Sequence, residues 1–170
     1  MEQVKQHLES GPNDVLPVGV GYVTCHSSIG HFSDTSLPII KKHRPAAVWL
    51  FGPDEGPKSH NDIVSDLKTL NPRPLVFIQV GNVVAAKKAV EDGADVIVCQ
   101  GIDAGGHQYR QGTGVITLVP EVRRMLERDF TSKSVSVVAA GGIADGKGVA
   151  AMMALGELGV FLPRPGPKLT

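Results

Sequence analysis

The stretch Asp95-Val96-Ile97-Val98-Cys99-Gln100-Gly101-Ile102-Asp103-Ala104-Gly105-Gly106-His107 joins an uninterrupted apolar run to a glycine-rich loop that ends in histidine. A short apolar run without polar alternation is the pattern of a strand buried on both faces. A loop at the end of such a strand is placed to meet a ligand. The design recurs downstream, where an apolar run beginning near Val135 enters Ala139-Ala140-Gly141-Gly142-Ile143-Ala144-Asp145-Gly146. One loop offers a base and the other an anion cradle.

Four further apolar, β-branched runs begin near Val18, Ala46, Leu75 and Gly159. The six starts lie about 28 residues apart on average, close to one strand–helix unit of an eight-unit barrel. Helical stripes fill most of the gaps. Ile63, Val64, Leu67 and Leu70 share one face, with Ser59 and Asn61 as candidate N-caps. Val83, Ala86 and Val90 form a second stripe, ended by Gly93. Val119, Val122, Met125 and Leu126 form a third, with Pro120 expected in its first turn, and Val149, Met152 and Met153 a fourth. Apolar strands separated by helices predict a parallel sheet covered on both faces. Gly141-Gly142 lacks the Gly-x-Gly-x-x-Gly spacing of a dinucleotide fold, and its place on a late strand suits a barrel. The expected architecture is α/β: a partial (β/α)8 TIM barrel of about six strand–helix units around a parallel sheet. The barrel domain is expected over residues 1–162, with a proline-rich tail over 163–170.

Composition narrows the function classes. The 170 residues are 42% hydrophobic and 20% charged, ordinary for a globular protein. Lys plus Arg and Asp plus Glu both total 17. A net charge of zero argues against nucleic-acid binding, which needs a basic field. No apolar run approaches the ~20 residues that span a bilayer. The N-terminus lacks the pattern of a signal peptide, so a cytoplasmic protein is expected. Cys25 and Cys99 border apolar runs and read as reduced, buried thiols.

The candidate site residues each carry two readings. His107 offers an imidazole suited to base chemistry near neutral pH, and Gly105 and Gly106 let backbone approach a planar ligand. The alternative is a loop histidine bonded to backbone or solvated. Gly141 and Gly142, followed by Asp145-Gly146 entering a helix, offer backbone N–H groups to a phosphate, or they form a tight turn that needs positive φ. Gln100, ending its strand, can hydrogen-bond a heterocycle edge or cap the strand; Gln79 carries a weaker version of the same signal. His26, His31 and His60 fall at loop-like positions, and Cys25-His26 with His31 lacks a second ligand pair. No metal site is expected. Trp49 and Phe51 read as core packing rather than a pocket wall.

Val98-Cys99-Gln100-Gly101-Ile102-Asp103-Ala104-Gly105-Gly106-His107 resembles the signature of nitronate monooxygenases, formerly 2-nitropropane dioxygenases. Val137-Val138-Ala139-Ala140-Gly141-Gly142-Ile143-Ala144-Asp145-Gly146 resembles the flavin-phosphate turn of that family. The resemblance runs from about Leu16 to about Gly159 and is nearest to fungal members. It implies a (β/α)8 barrel that binds FMN non-covalently and oxidises alkyl nitronates, and some nitroalkanes, with O2. It implies His107 as the base for carbon deprotonation, and FMN contacts at Gln100, Gly105, Gly106, Gly141 and Gly142.

Family members are about twice this length, so truncation at both ends is expected. Pro163, Pro165 and Pro167 stand where the family completes its phosphate site, and they have no backbone N–H to give. A barrel short of two units is expected to expose apolar interior and to fold poorly alone. Two other readings stay open. One is a flavin-type enoyl-acyl-carrier-protein reductase, whose family shares the Ala-Gly-Gly-His run. The other is a non-catalytic pseudoenzyme or binding protein. Partners beyond a small nitronate or nitroalkane and O2, and the oligomeric state, have no signal in the sequence.

Overall fold

The computed structural model describes residues 2–8, 11, 14–155 and 159–161; the proline-rich tail over 163–170 lies outside the described residues. The chain divides into two compact units. The first comprises Met1–Gln79 with Ala89–Asp95, and the second Val80–Lys88 with Val96–Thr170.

In the first unit, α1 (Glu2–His7) precedes β1 (Leu16–Val23). Short turns over Ser27–His31 and Phe32–Ser36 lead into α2 (Leu37–His43), then β2 (Pro45–Phe51), α3 (His60–Lys68) and β3 (Leu75–Val80). Arg44, at φ 50°, ends α2 in a left-handed cap, and Pro45 follows where no helix can continue. Ser59 caps α3 by accepting from the Asp62 amide at 3.1 Å. Ile63, Val64 and Leu67 of the predicted stripe are fully buried, while Leu70 falls beyond the helix end and is half-buried. Strand pairing is parallel, with Gly21 opposite Trp49 and Trp49 opposite Phe77.

Burial along these strands alternates, which departs from the two-sided cover expected from their apolar runs. Val48, Leu50, Val76 and Ile78 are fully buried on one face. On the other face Trp49, Phe51 and Phe77 are half-buried, while Val23 is 53% and Leu75 50% exposed. An apolar run records what a strand tolerates on each face, not that both faces are covered.

α4 (Val83–Asp92) ends at Gly93, which takes φ 97°, as its position predicts. The second unit continues with β4 (Val96–Gln100), α5 (Val115–Asp129), β5 (Ser136–Ala140), α6 (Gly146–Ala154) and β6 (Gly159–Phe161). β4 pairs parallel to β5, Val98 opposite Val138, and β5 to β6, Ala139 opposite Val160. Every residue of β4 is buried, so here the expectation of a two-sided strand holds. α5 begins earlier than its stripe suggested. Pro120 is therefore its sixth residue and lies inside the helix, not in the first turn. Two smaller expectations also fail: Met153 is 63% exposed beside a buried Met152, and Cys25 is exposed while Cys99 is buried. Among the described residues no helix is long and apolar enough to cross a membrane.

Candidate active site

The sequence-predicted site residues Gln100, Gly105, Gly106, His107, Gly141 and Gly142 all belong to the second unit. They fall on the segments that leave the carboxyl ends of β4 and β5, where parallel α/β sheets place ligands. The long segment from Gly101 to Gly114 is shaped by its own backbone. Ile102 N–H donates to Thr113 O at 3.0 Å, and Ala104 N–H to Gly101 O at 3.0 Å. Thr113 N–H donates to Gly81 O at 3.1 Å, and the Asn82 side-chain amide to Gln111 O at 3.0 Å. Its base is thus anchored at two points on the turn before α4.

The two glycine loops touch. Gly141 sits at φ 110° and Gly142 at φ 68°, both in the left-handed region. A Cβ on Gly141 would lie 2.9 Å from the Ala104 amide nitrogen and Cβ, and one on Gly142 would lie 3.0 Å from Asp103 Cβ. Glycine is therefore demanded here by conformation and by close approach together. Gly105 and Gly106 are exposed, and a Cβ on either would meet nothing within 4 Å, although Gly106, at φ 78°, is held in the left-handed region like Gly141 and Gly142. Their bareness leaves open space beside the loop.

Gln100 is 7% exposed at the end of β4. Its Nε2 donates to the backbone oxygen of His107 at 2.9 Å, so this amide holds the histidine-bearing loop against its own strand. That bond assigns the amide's orientation and leaves Oε1 as a buried acceptor with no hydrogen-bond partner among the described residues. An orphaned buried acceptor is costly unless something donates to it. An N–H on the edge of a heterocycle fits that need. The imidazole of His107 itself is exposed.

Two features escaped the sequence reading. Asp103 Oδ2 accepts from the Val115 amide at 3.0 Å, at the start of α5, and Asp103 also lies against Gly142. It ties one loop to a helix and packs on the other loop. No local pattern announces an aspartate that caps a helix twelve residues away. The second feature alters the anion cradle. Asp145 Oδ1 accepts from both Lys147 and Gly148 amides at 3.0 Å, so α6 is capped by its own carboxylate. The Lys147 and Gly148 amides are thus occupied by a carboxylate and are not available to a phosphate. His26 also acquires a local role, its Nδ1 accepting from the Ser28 amide at 3.2 Å. In the first unit Trp49 Nε1 donates to Gln79 Oε1 at 2.8 Å, and the Trp49 ring stacks on Phe77 at 5.6 Å. Gln79 is thus a partner for Trp49.

A family model described as nitronate monooxygenase matches residues 26–163. A nitronate monooxygenase of Neurospora crassa is 48% identical over 164 residues, which cover 91% of this chain and 43% of that protein. The chain thus spans less than half the length of this relative. Among solved structures, a nitroalkane oxidase from Streptomyces ansochromogenes superposes with a TM-score of 0.65 at 21% identity, over 86% of this chain and 50% of that one. A mandelate oxidase variant with a monooxide FMN adduct gives 0.60 at 17% identity, over 87% and 55%. At such identities the two structures bear on fold alone, and the fold is a partial (β/α)8 barrel.

Proposed function

The chain belongs to the nitronate monooxygenase family, and on that premise we propose that it binds FMN and serves the oxidation of alkyl nitronates and nitroalkanes by O2. The observation that carries the cofactor reading is Gln100: a buried, unsatisfied Oε1 at a strand end, beside glycines with open space around them. Gln100 Oε1 would accept from an N–H on the edge of the flavin heterocycle. Gly105 and Gly106 allow the ring to approach backbone without meeting a side chain. The Gly141-Gly142 turn offers main-chain N–H groups to the phosphate, with no cationic side chain required. FMN, if held there, would supply the electron-accepting and O2-reactive chemistry that the protein side chains lack.

The remaining chemistry falls to His107. A nitro group makes its α-carbon acidic, and a neutral imidazole within reach removes that proton as a general base. Preformed nitronates have already lost it and do not need the base. Gln100, by holding the His107 carbonyl, sets where the loop presents its imidazole.

Titration of the purified chain with FMN, followed by flavin fluorescence, tests the cofactor reading. Saturable binding is expected, weakened about tenfold or more by Gln100→Leu. No saturable binding by about 50 µM FMN sinks the proposal, since such affinity would be too weak for a resident cofactor. If FMN binds, His107→Asn is expected to lower turnover of neutral nitroalkanes by about 10²–10⁴-fold and that of preformed nitronates far less. Equal loss on both substrates removes His107 from the base role. NADH consumption with an enoyl thioester, without O2 uptake on nitronate, would point instead to a reductase.

A further inference from the structure

We propose that Tyr109 is a positioning residue for His107: its side chain lies on the backbone of Gly81, and this contact fixes the loop from which the imidazole projects. The residues concerned all belong to the second unit. The part of the inference that touches turnover rests on His107 as the base, whereas the contact between Tyr109 and Gly81 does not.

The His107 imidazole is exposed and makes no hydrogen bond or ion pair among the described residues. Its place is therefore set by the backbone on either side of it. Gln100 Nε2 fixes that backbone at the His107 carbonyl, at 2.9 Å. Next but one in the chain, Tyr109 is half-buried between exposed Gln108 and exposed Arg110. It rests on Gly81, which is buried in the turn between β3 and α4. A Cβ on Gly81 would stand 2.5 Å from Tyr109 Cβ, 2.7 Å from its Cγ and 2.9 Å from its Cδ2. The φ of Gly81 lies outside the left-handed region, so the Tyr109 side chain, and not backbone strain, demands glycine there.

Polar ties follow on the far side of Tyr109. Asn82 Nδ2 donates to Gln111 O at 3.0 Å, while its Oδ1 accepts from the Ala85 amide at 2.8 Å. The loop is thus bound to a side chain that the first turn of α4 holds in place. Gly81 O accepts from the Thr113 amide at 3.1 Å. Tyr109 is the apolar contact between the tie at His107 and the tie at Gln111. Without it, the segment next to the imidazole is held at its ends alone. A general base acts only within hydrogen-bond reach of its proton, and a misplacement of about 1 Å costs about 10²-fold.

Trypsin cleavage after the exposed Arg110 reads the loop with neither FMN nor substrate present, and cleavage after Arg124, inside α5, reads unfolding of the unit. Tyr109→Ala and Gly81→Ala are each expected to speed the cut at Arg110 about tenfold or more and to leave the cut at Arg124 unchanged. Should Gly81→Ala fail to fold, Tyr109→Ala in the loop carries the same test. In turnover, Tyr109→Ala is expected to lose about 10- to 100-fold on neutral nitroalkanes and far less on preformed nitronates. Tyr109→Phe keeps the ring and is expected to rescue both readouts. A cut at Arg110 that is unchanged in Tyr109→Ala, or that rises only in step with the cut at Arg124, overturns the contact whether or not FMN binds. Equal loss on both substrates in Tyr109→Ala, where His107→Asn spares nitronates, overturns the positioning role and leaves His107 as the base. If His107→Asn does not spare nitronates, the base reading fails and the positioning role falls with it.

Discussion

Gly141 and Gly105 lie on the two loops that follow β5 and β4, yet they answer to different demands. Gly141 holds φ 110° and has Ala104 within 2.9 Å of where a Cβ would stand. Gly141→Ala is expected to cost about 2 kcal/mol, read as a lower urea midpoint at unchanged slope. Gly105 has no neighbour within 4 Å. Gly105→Ala is expected to change stability by less than about 0.5 kcal/mol and, on the proposed function, to weaken FMN binding by filling space the ligand would use. If Gly105→Ala binds FMN normally, the flavin does not approach that backbone.

Asp95 gives a residue-scale prediction of another kind. Burial pushes its carboxyl up, but hydrogen bonds from Arg73 and the Val76 amide, with the charges of Arg73 and Lys68, hold it below the usual range. The Arg73 fork is bidentate, at 2.9 and 2.7 Å. A depressed folded-state value means that the stabilisation is present above the unfolded carboxylate value of about 4 and fades as pH falls through the folded one. Asp95→Asn is therefore expected to cost about 1 kcal/mol at pH 7, since the pair is partly exposed. By pH 2–3 the gap to the unaltered chain should shrink. Paired denaturant melts at the two pH values check it, and a constant gap would contradict it.

At the scale of the element, helix ends and interiors show where local chemistry governs. Asp145 satisfies two amides at the start of α6. Asp145→Ala is expected to lower stability by about 1 kcal/mol, measured by thermal melting. Pro120 is the sixth residue of α5 and cannot donate to the Ile116 carbonyl. Pro120→Ala restores that bond and is expected to stabilise by about 1 kcal/mol, less than the full interior penalty because proline also restricts the unfolded chain. A lower melting temperature in Pro120→Ala would mean that the proline ring packs where alanine leaves a gap.

At the scale of the whole molecule, the first three strands leave apolar surface at Val23 and Leu75. These residues share a face with Trp49, Phe51 and Phe77 through the parallel register. Such a face binds hydrophobic dyes and promotes association. The chain is expected to enhance anilinonaphthalene sulfonate fluorescence, and Val23→Thr with Leu75→Thr to reduce that signal at little cost in melting temperature. An unaltered signal in the double variant would place the dye elsewhere. The six strand starts were legible within about two residues, as were the Ser59 cap and the Gly93 stop. The burial alternation of β1 to β3 was not, because aliphatic residues occupy both faces and carry no mark of which is covered.

The sequence by itself determined the alternation of strands and helices, the Ser59 cap and Gly93 stop, and the two glycine loops. These follow from periodicity and turn chemistry among residues close in the chain. Only the tertiary structure decided that Asp103 would brace Gly142, and that Gln100 would spend its donor on His107 and keep its acceptor bare. It also carried Asp92 to Asp54 and His60 across more than thirty residues. Such contacts depend on how the strands and helices pack, and no spacing along the chain encodes them.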